Sequence, residues 1–309
     1  MKLLILIFFL CSVLNAEDDL KKFCKEKLES AESVRALEGG DAWLFPFKEI
    51  QHLAKEEQFS EKSLKVIEDY KNDLAKEGIK LLVVPIPPKS LILKEHLVSK
   101  SSEWNPYKKY HQKLKEQKVD SIDLVPTFYE AKKSAQVFCK RDSHFSPFMS
   151  DVIAKAISKK LDVNAKGEKY SIEKMEVSFE GDLTRQSPKE FEKEKFNIQY
   201  LTLNGAFPES NPQSPTLLLG DSNCLIYSAG GDMHTRGAGI FEYLSKSLGN
   251  NIDLLAVKGS GIDTARVDFF RRSMDINYLK NKKLVIWLFA AYELTESRGW
   301  KKIPVRREE

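Results

Sequence analysis

Two short segments carry side chains whose types and spacing suit acid–base and nucleophilic chemistry. The first is Arg141-Asp142-Ser143-His144-Phe145-Ser146-Pro147. Histidine is the usual base near neutral pH, and a carboxylate beside it fixes the imidazole tautomer and stabilises the cation that forms. Asp142 and His144 stand two apart, so on an extended turn both face the same side. The second segment, Leu218-Leu219-Gly220-Asp221-Ser222, runs an apolar stretch straight into Gly-Asp-Ser. A serine hydroxyl is a poor nucleophile until a base takes its proton. At the carboxyl end of a strand, Ser222 would have that hydroxyl exposed and its backbone N–H free to hold an oxyanion. Gly220 removes a side chain where the chain must bend. Gly-Asp-Ser is also ordinary turn composition, so this tripeptide gains weight only beside a base.

The chain holds five histidines. His52, His96 and His111 lie in charged, helical or loop contexts with no serine or carboxylate pattern. His234, in Gly230-Gly231-Asp232-Met233-His234, competes with His144 because Asp232 stands beside it and Ser222 precedes it by twelve positions. His144 is the expected base, since it follows a predicted strand end, whereas His234 falls in a glycine-rich loop expected to shape the cleft.

Positioning these groups requires strands that end together. Leu81 to Pro87 is a continuous apolar run of the kind a strand buried on both faces shows. Further strands are expected at 121–125, 136–139, 216–219, 252–257 and 283–289. Between them, Leu64, Ile67 and Leu74 recur at helical spacing before Gly78. Ser146-Pro147 opens a helix whose inward stripe is Met149, Ile153, Ala156, Ile157 and Leu161. Ile240, Phe241, Leu244 and Leu248 mark another helix, ending at Gly249. Apolar strands alternating with helices predict a single α/β domain, a mostly parallel sheet with helices on both faces. Residues 165–213, rich in Lys and Glu without a clear period, read as an insertion running over the surface. The lysines between Lys108 and Lys118 read as a solvated helix face.

Composition narrows the class. With 309 residues, 42% hydrophobic and 30% charged, the chain has material for a full core, which excludes a wholly disordered protein. A net charge of +4 is too balanced for a dedicated nucleic-acid binder, yet suits contact with an acidic polymer. Residues 1–16 read as a signal peptide: Lys2, an apolar run from Leu3 to Leu14, and Ala16 before Glu17-Asp18-Asp19. The mature domain, 17–309, is then periplasmic or secreted, the alternative being an uncleaved membrane anchor. Of the cysteines left after cleavage, Cys139 and Cys224 are the expected disulfide partners, with Cys24 over. No cysteine or histidine spacing suits a metal site.

Four motifs in order resemble the SGNH-hydrolase-like polysaccharide O-acetyltransferases of the bacterial cell envelope, the alginate O-acetyltransferase family. Gly40-Asp41-Ala42-Trp43-Leu44-Phe45 resembles the family's "DGWLF", and Val83-Val84-Pro85-Ile86-Pro87-Pro88-Lys89 its "VPVP.K". Asp142-Ser143-His144-Phe145-Ser146-Pro147 resembles "DTHWTP", and Gly220-Asp221-Ser222 resembles "GDSF". Phe145, Ala42 and Asn223 depart from the pattern. At the end of the last strand, Trp287 to Tyr292 resembles "WEFPER" without its Glu and Arg. The resemblance implies an SGNH-like (flavodoxin-like) fold with Ser222 as nucleophile, His144 as base and Asp142 as its orienting carboxylate. It further implies oxyanion or substrate contacts from Asn223, Gly259, Gly261, Arg266 and Lys89, with no asparagine assigned to the one in the family's name. The activity implied is transfer of an acetyl group through an acetyl-serine to a polysaccharide hydroxyl, without metal or cofactor, the donor being passed on by a membrane-bound acyltransferase. An acetyl-esterase using the same triad, or a non-catalytic glycan-binding or assembly factor, are the alternatives.

Overall fold

The computed structural model describes residues 19–30, 35–99, 104–163, 169–187, 189–259, 261–296 and 299–307. The expected signal peptide and its junction lie outside the described residues.

Nine strands are described. A short antiparallel pair joins β1 (Ala36–Glu38) to β2 (Leu44–Pro46). The central sheet contains β3 (Lys80–Ile86), β4 (Asp120–Ser121), β7 (Thr216–Gly220), β8 (Asp253–Ala256) and β9 (Leu284–Ala290), in the order β4-β3-β9-β7-β8. Every pairing in it is parallel. Parallel strands buried on both faces read as unbroken apolar runs, and β3, β7 and β9 are buried along nearly their whole length. Helices cover the sheet, so the expected α/β architecture is what the chain adopts.

Local signals explain most boundaries. Helix Glu61–Lys76 starts at Ser60, whose side chain accepts the Ser63 N–H, and turns Leu64, Ile67 and Leu74 inward. It gives way to Gly78 in the left-handed region, φ 72°. Helix Pro147–Lys160 begins at the predicted proline and buries Met149, Ile153 and Ile157. Ser146 precedes it but does not cap it; its hydroxyl donates to the Gln136 carbonyl at 2.5 Å. Helix Lys108–Glu116 buries Tyr110 and Leu114 and leaves its lysines outward, as the charge run suggests.

Four expectations need correction. The strand expected over 121–125 stops at Ser121, because the Asp123 carboxylate accepts the Val125 N–H at 3.0 Å and starts helix Val125–Lys132, with proline in its first turn. Residues 136–139 form no ladder; one antiparallel bridge, Phe138 to Phe145, folds this segment back on itself. The 165–213 stretch contains a long hairpin, β5 (Tyr170–Phe179) paired over its full length with β6 (Glu194–Leu203). Finally, Cys24, Cys139 and Cys224 are free and buried. Cys139 Sγ lies 3.1 Å from the Tyr227 hydroxyl, whereas Cys224 Sγ points at the Leu288 carbonyl, so the expected disulfide does not form. Among the described residues no helix is long and apolar enough to cross a membrane.

Candidate active site

β7 delivers Gly220 to the carboxyl end of the sheet, where the chain breaks into a 3-10 turn, Ser222–Cys224. Asp221 builds this turn. One of its carboxylate oxygens accepts the Asn223 N–H and side-chain amide, each at 2.9 Å, and the other accepts the Ala290 N–H at 2.8 Å. The end of β7 is thereby tied to the end of β9. Ser222 opens the turn, so its own N–H has no acceptor within it.

The segment carrying His144 is held from two sides. Behind it, the buried Lys89 ammonium donates to the carbonyls of Leu44 (2.5 Å), Lys140 (3.0 Å) and Asp142 (3.0 Å). Burial pulls this ammonium down to about 8. In front, the hairpin grips the segment. The Glu194 carboxylate accepts the Lys140 and Arg141 N–H groups, both at 2.6 Å, and the Leu183 N–H donates to the Arg141 carbonyl.

With both segments fixed, a hydrogen-bonded chain closes. Asp142 Oδ1 accepts from His144 Nδ1 at 2.7 Å and from the His144 N–H at 2.9 Å. The proton on Nδ1 leaves the Nε2 lone pair facing Ser222 Oγ, 2.9 Å away. Asp142 Oδ2 accepts from His234 Nε2 at 2.9 Å and from the Asp182 N–H at 3.0 Å. Burial works against the charged Asp142, but His144 and His234 outweigh it and hold the carboxyl well below its usual range. Burial also opposes a charged His144; Asp142, with Asp182 and Asp221, overcomes this and raises the imidazole above its ordinary value. A base strengthened in this way takes a serine proton more readily.

His234 reaches Asp142 from an unusual backbone. It sits at φ 71°, ψ −70°, the centre of a tight turn closed by the Thr235 N–H on the Met233 carbonyl at 3.0 Å. This conformation is rare for a residue with a Cβ and costs about 1–3 kcal/mol. Its ring stacks on Phe179, the last residue of β5, with centroids 3.7 Å apart and planes 9° from parallel.

The triad opens into a cleft of about 1010 Å³. The hairpin end forms one wall, with Phe179, Asp182 and Arg185; Lys48 and Tyr292 form another, the ammonium 5.6 Å from the ring centre. Arg35, Lys193 and Lys258 add positive charge at the cleft, and Lys258 pairs with Asp232. Asp142, His144 and Asp182 also place three potential ligand atoms within 4.8 Å of one another. Each is already engaged, however: the Asp182 carboxylate accepts the Ser143 N–H at 2.7 Å and its hydroxyl at 2.6 Å. These bonds tie both carboxylates into the loop that carries His144.

The structure thus brings Ser222, His144 and Asp142 together across the sheet end. Gly259 lines the cleft at φ 66°, with open space where a Cβ would stand. The other residues implied by the resemblance lie elsewhere. Asn223 spends its N–H and its amide on Asp221. Gly261, also at positive φ, faces the Glu293 carboxylate instead of the cleft, and Ser260 between the two glycines is outside the described residues. Arg266 is fully buried, its guanidinium bonded to Asp263 and the Lys301 carbonyl and lying over Tyr70 and Trp287. Lys89 is a strut beneath the Asp142 segment. Replacing it, Lys89→Met, removes the donor from three buried carbonyls and is expected to cost about 3 kcal/mol or more, read as a lower urea midpoint.

Sequence reasoning missed the hairpin's share of the site. Asp182, Phe179 and Arg185 come from the stretch read as a surface excursion, and His234, a rival base by its position in the sequence, binds the same carboxylate as His144. The nearest available signal was Phe-Glu-Gly-Asp-Leu at 179–183, where Gly181 packs against the Arg141 backbone too closely to admit a Cβ.

A parallel sheet carrying a serine at one strand end and a histidine–aspartate pair beside it is an SGNH-like α/β arrangement. The model of one family, described as SGNH hydrolase-like domain, acetyltransferase AlgX, matches residues 36–291, and the chain belongs to that family. The "Probable alginate O-acetylase AlgJ" of Pseudomonas syringae pv. tomato is 28% identical over 154 residues, 47% of this chain and 39% of that protein. Its counterpart in Azotobacter vinelandii is 24% identical over 119 residues, 38% of this chain and 31% of that protein. The matched stretches therefore span less than half the length of these curated relatives. Among solved structures, the O-acetyltransferase domain of Pseudomonas putida AlgJ gives a TM-score of 0.65 at 21% identity, covering 84% of this chain and 92% of that one. Pseudomonas aeruginosa AlgX gives 0.65 at 18% identity, covering 87% and 65%. At these identities the likeness shows the fold, and it is the fold expected from the motifs.

Proposed function

We propose that this protein is a serine-dependent O-acetyltransferase that moves an acetyl group onto hydroxyls of an envelope or extracellular polysaccharide. The observation that carries the reading is the Ser222–His144–Asp142 chain, bonded at 2.9 and 2.7 Å and open to the cleft. His144 Nε2 takes the Ser222 proton as Oγ attacks the acetyl carbonyl. The oxyanion forms against the Ser222 and Gly259 N–H groups, each worth about 3 kcal/mol. Collapse expels the donor's oxygen, which receives the proton back from His144, and leaves acetyl-Ser222. A sugar hydroxyl then gives its proton to His144 and attacks the acetyl-serine, and His144 passes that proton to Ser222 Oγ as it leaves, restoring the serine hydroxyl and releasing the acetylated sugar.

The names of the AlgJ and AlgX relatives support alginate-type acetylation, and the cationic wall of the cleft suits an acidic glycan. We place the domain at 17–309, exported behind a leader at 1–16 to the periplasm or beyond. The acetyl donor would come from a membrane-bound acyltransferase, since acetyl-CoA is a cytoplasmic compound.

A chromogenic acetyl ester tests the chemistry. The wild-type protein is expected to release chromophore, and Ser222→Ala to lower the rate at least about 10³-fold. Unchanged release would remove Ser222 as the nucleophile. The same triad supports hydrolysis, so a panel of glycans added to the reaction should show acetate moving to sugar; acetate released only to water would make the protein an esterase.

A further inference from the structure

We propose that His234 is a positioning residue of the transfer reaction: it donates from Nε2 to the Asp142 oxygen that His144 leaves free, fixing the carboxylate's rotation and the share of its charge that His144 feels. The proposal rests on the triad reading above and extends it to a second imidazole.

The geometry is specific. Asp142 is 1% exposed and accepts four hydrogen bonds, two on each oxygen. A carboxylate oxygen held by a single donor can still rock about the Cβ–Cγ bond; a second donor from another direction narrows that motion. His234 supplies one of the two bonds on the far oxygen, and the hairpin's Asp182 N–H supplies the other. Phe179 holds the His234 ring from one face, and the tight turn centred on His234 aims it. A packing residue would need neither the turn nor a partner for Nε2.

The electrostatic consequence has a definite sign. His234 draws part of the carboxylate's charge onto itself, so less remains to stabilise the His144 cation. Other charges face the pair. Asp182 and Asp221 approach from the hairpin and the β7 turn, and Lys89 lies behind Asp142 with the Cys139 thiol and Tyr227 hydroxyl. The Asp232–Lys258 pair, Glu180 and Arg185 line the same cleft. Of these only the Asp182 backbone N–H donates to Asp142 Oδ2, so removing His234 halves the donors on that oxygen and leaves more of its charge for His144.

The test uses the full chain with ¹⁵N-labelled histidine. His144 is titrated by NMR without substrate in the wild type, His234→Phe and His234→Gln, and acetyl-ester turnover is followed against pH in the same proteins. His234→Phe keeps a ring to stack on Phe179 but has no donor. The titration midpoint of His144 is expected to rise by about 0.5 pH or more. The acid limb of kcat should move the same way, kcat should fall about tenfold or more, and KM should stay within about twofold. His234→Gln returns a donor and should recover most of both. An unchanged midpoint in His234→Phe, or equal losses in both variants without a shift in the acid limb, overturns the proposal and leaves the Ser222 chemistry standing. Loss of the triad reading shows differently: turnover that survives Ser222→Ala in an otherwise wild-type chain removes the reaction His234 would serve.

Discussion

Asp142→Asn is expected to lower kcat for acetyl transfer by about 10⁴-fold. Asp142 receives four donors, and an amide has one oxygen to offer them. If that oxygen faces His144, the amide NH₂ meets the Asp182 N–H, placing donor against donor in a buried site. If the NH₂ faces His144 instead, Nδ1 must become the acceptor and the ring proton moves to Nε2. His144 then presents an N–H to Ser222 and has no lone pair to receive the hydroxyl proton. Either arrangement also leaves a buried N–H unpaired, at about 1–3 kcal/mol. Steady-state kinetics and a urea titration of the same protein separate the two effects. A loss of less than about tenfold in kcat would mean that Asp142 does not set the state of His144.

The second large effect is on stability. Gly220→Ala is expected to destabilise the protein by more than about 4 kcal/mol, read as a lower urea midpoint or as failure to accumulate folded protein. Gly220 is the last residue of β7 and lies opposite Leu288 of β9 in the parallel register. A Cβ there would overlap the Leu288 carbonyl oxygen and stand 2.7 Å from Cys224 Sγ. Both obstacles are fixed, one by the sheet and the other by the 3-10 turn behind the serine. Relief requires β7 to move from β9 at the point where Ser222 enters the cleft, so surviving protein should also be poorly active. A variant of wild-type stability would show that the strand ends are looser than their hydrogen bonds imply.

These two residues also show how far the sequence could be read. Gly220, Asp221 and Ser222 were legible only together with Asp142 and His144, since an apolar strand running into Gly-Asp-Ser is by itself also ordinary turn composition. Asp142 and His144 were legible because their spacing fixes a shared face on one extended turn. What the Asp142 side chain does with its second oxygen was not legible. Its partners there come from residues 182 and 234, and local spacing carries no information about contacts so distant in sequence. The hairpin was hidden for a related reason. Much of β5 is solvent-exposed, Ile172 among it, and the alternation that places Met175, Val177 and Phe179 between polar residues slips at Glu173-Lys174, so the strand is masked by its charged residues. Its pairing is set by cross-strand bonds and its position by Glu194 and Gly181 against the Arg141 segment.

Lys89 and Arg266 illustrate the opposite error. Cations near strand ends invite a reading as substrate contacts, yet both are buried, Lys89 among backbone carbonyls and Arg266 against Asp263 and aromatic rings. Lys89 answers a structural demand, since three carbonyls converge beneath the Asp142 turn and need a donor. Arg266 lies over the rings of Tyr70 and of Trp287 in β9. The expected disulfide failed because 136–139 is not a sheet strand, so Cys139 and Cys224 do not share the geometry of neighbouring strand ends.

The most direct test of the account is the intact mass of the protein after brief exposure to a reactive acetyl ester at mildly acidic pH, where breakdown of the adduct is slowed. The account predicts a gain of one acetyl group, mapped by peptide fragmentation to Ser222, absent in Ser222→Ala, and lost on addition of an acceptor glycan that itself becomes acetylated. An adduct on another residue, or turnover with no acetyl ever found on the chain, would contradict it.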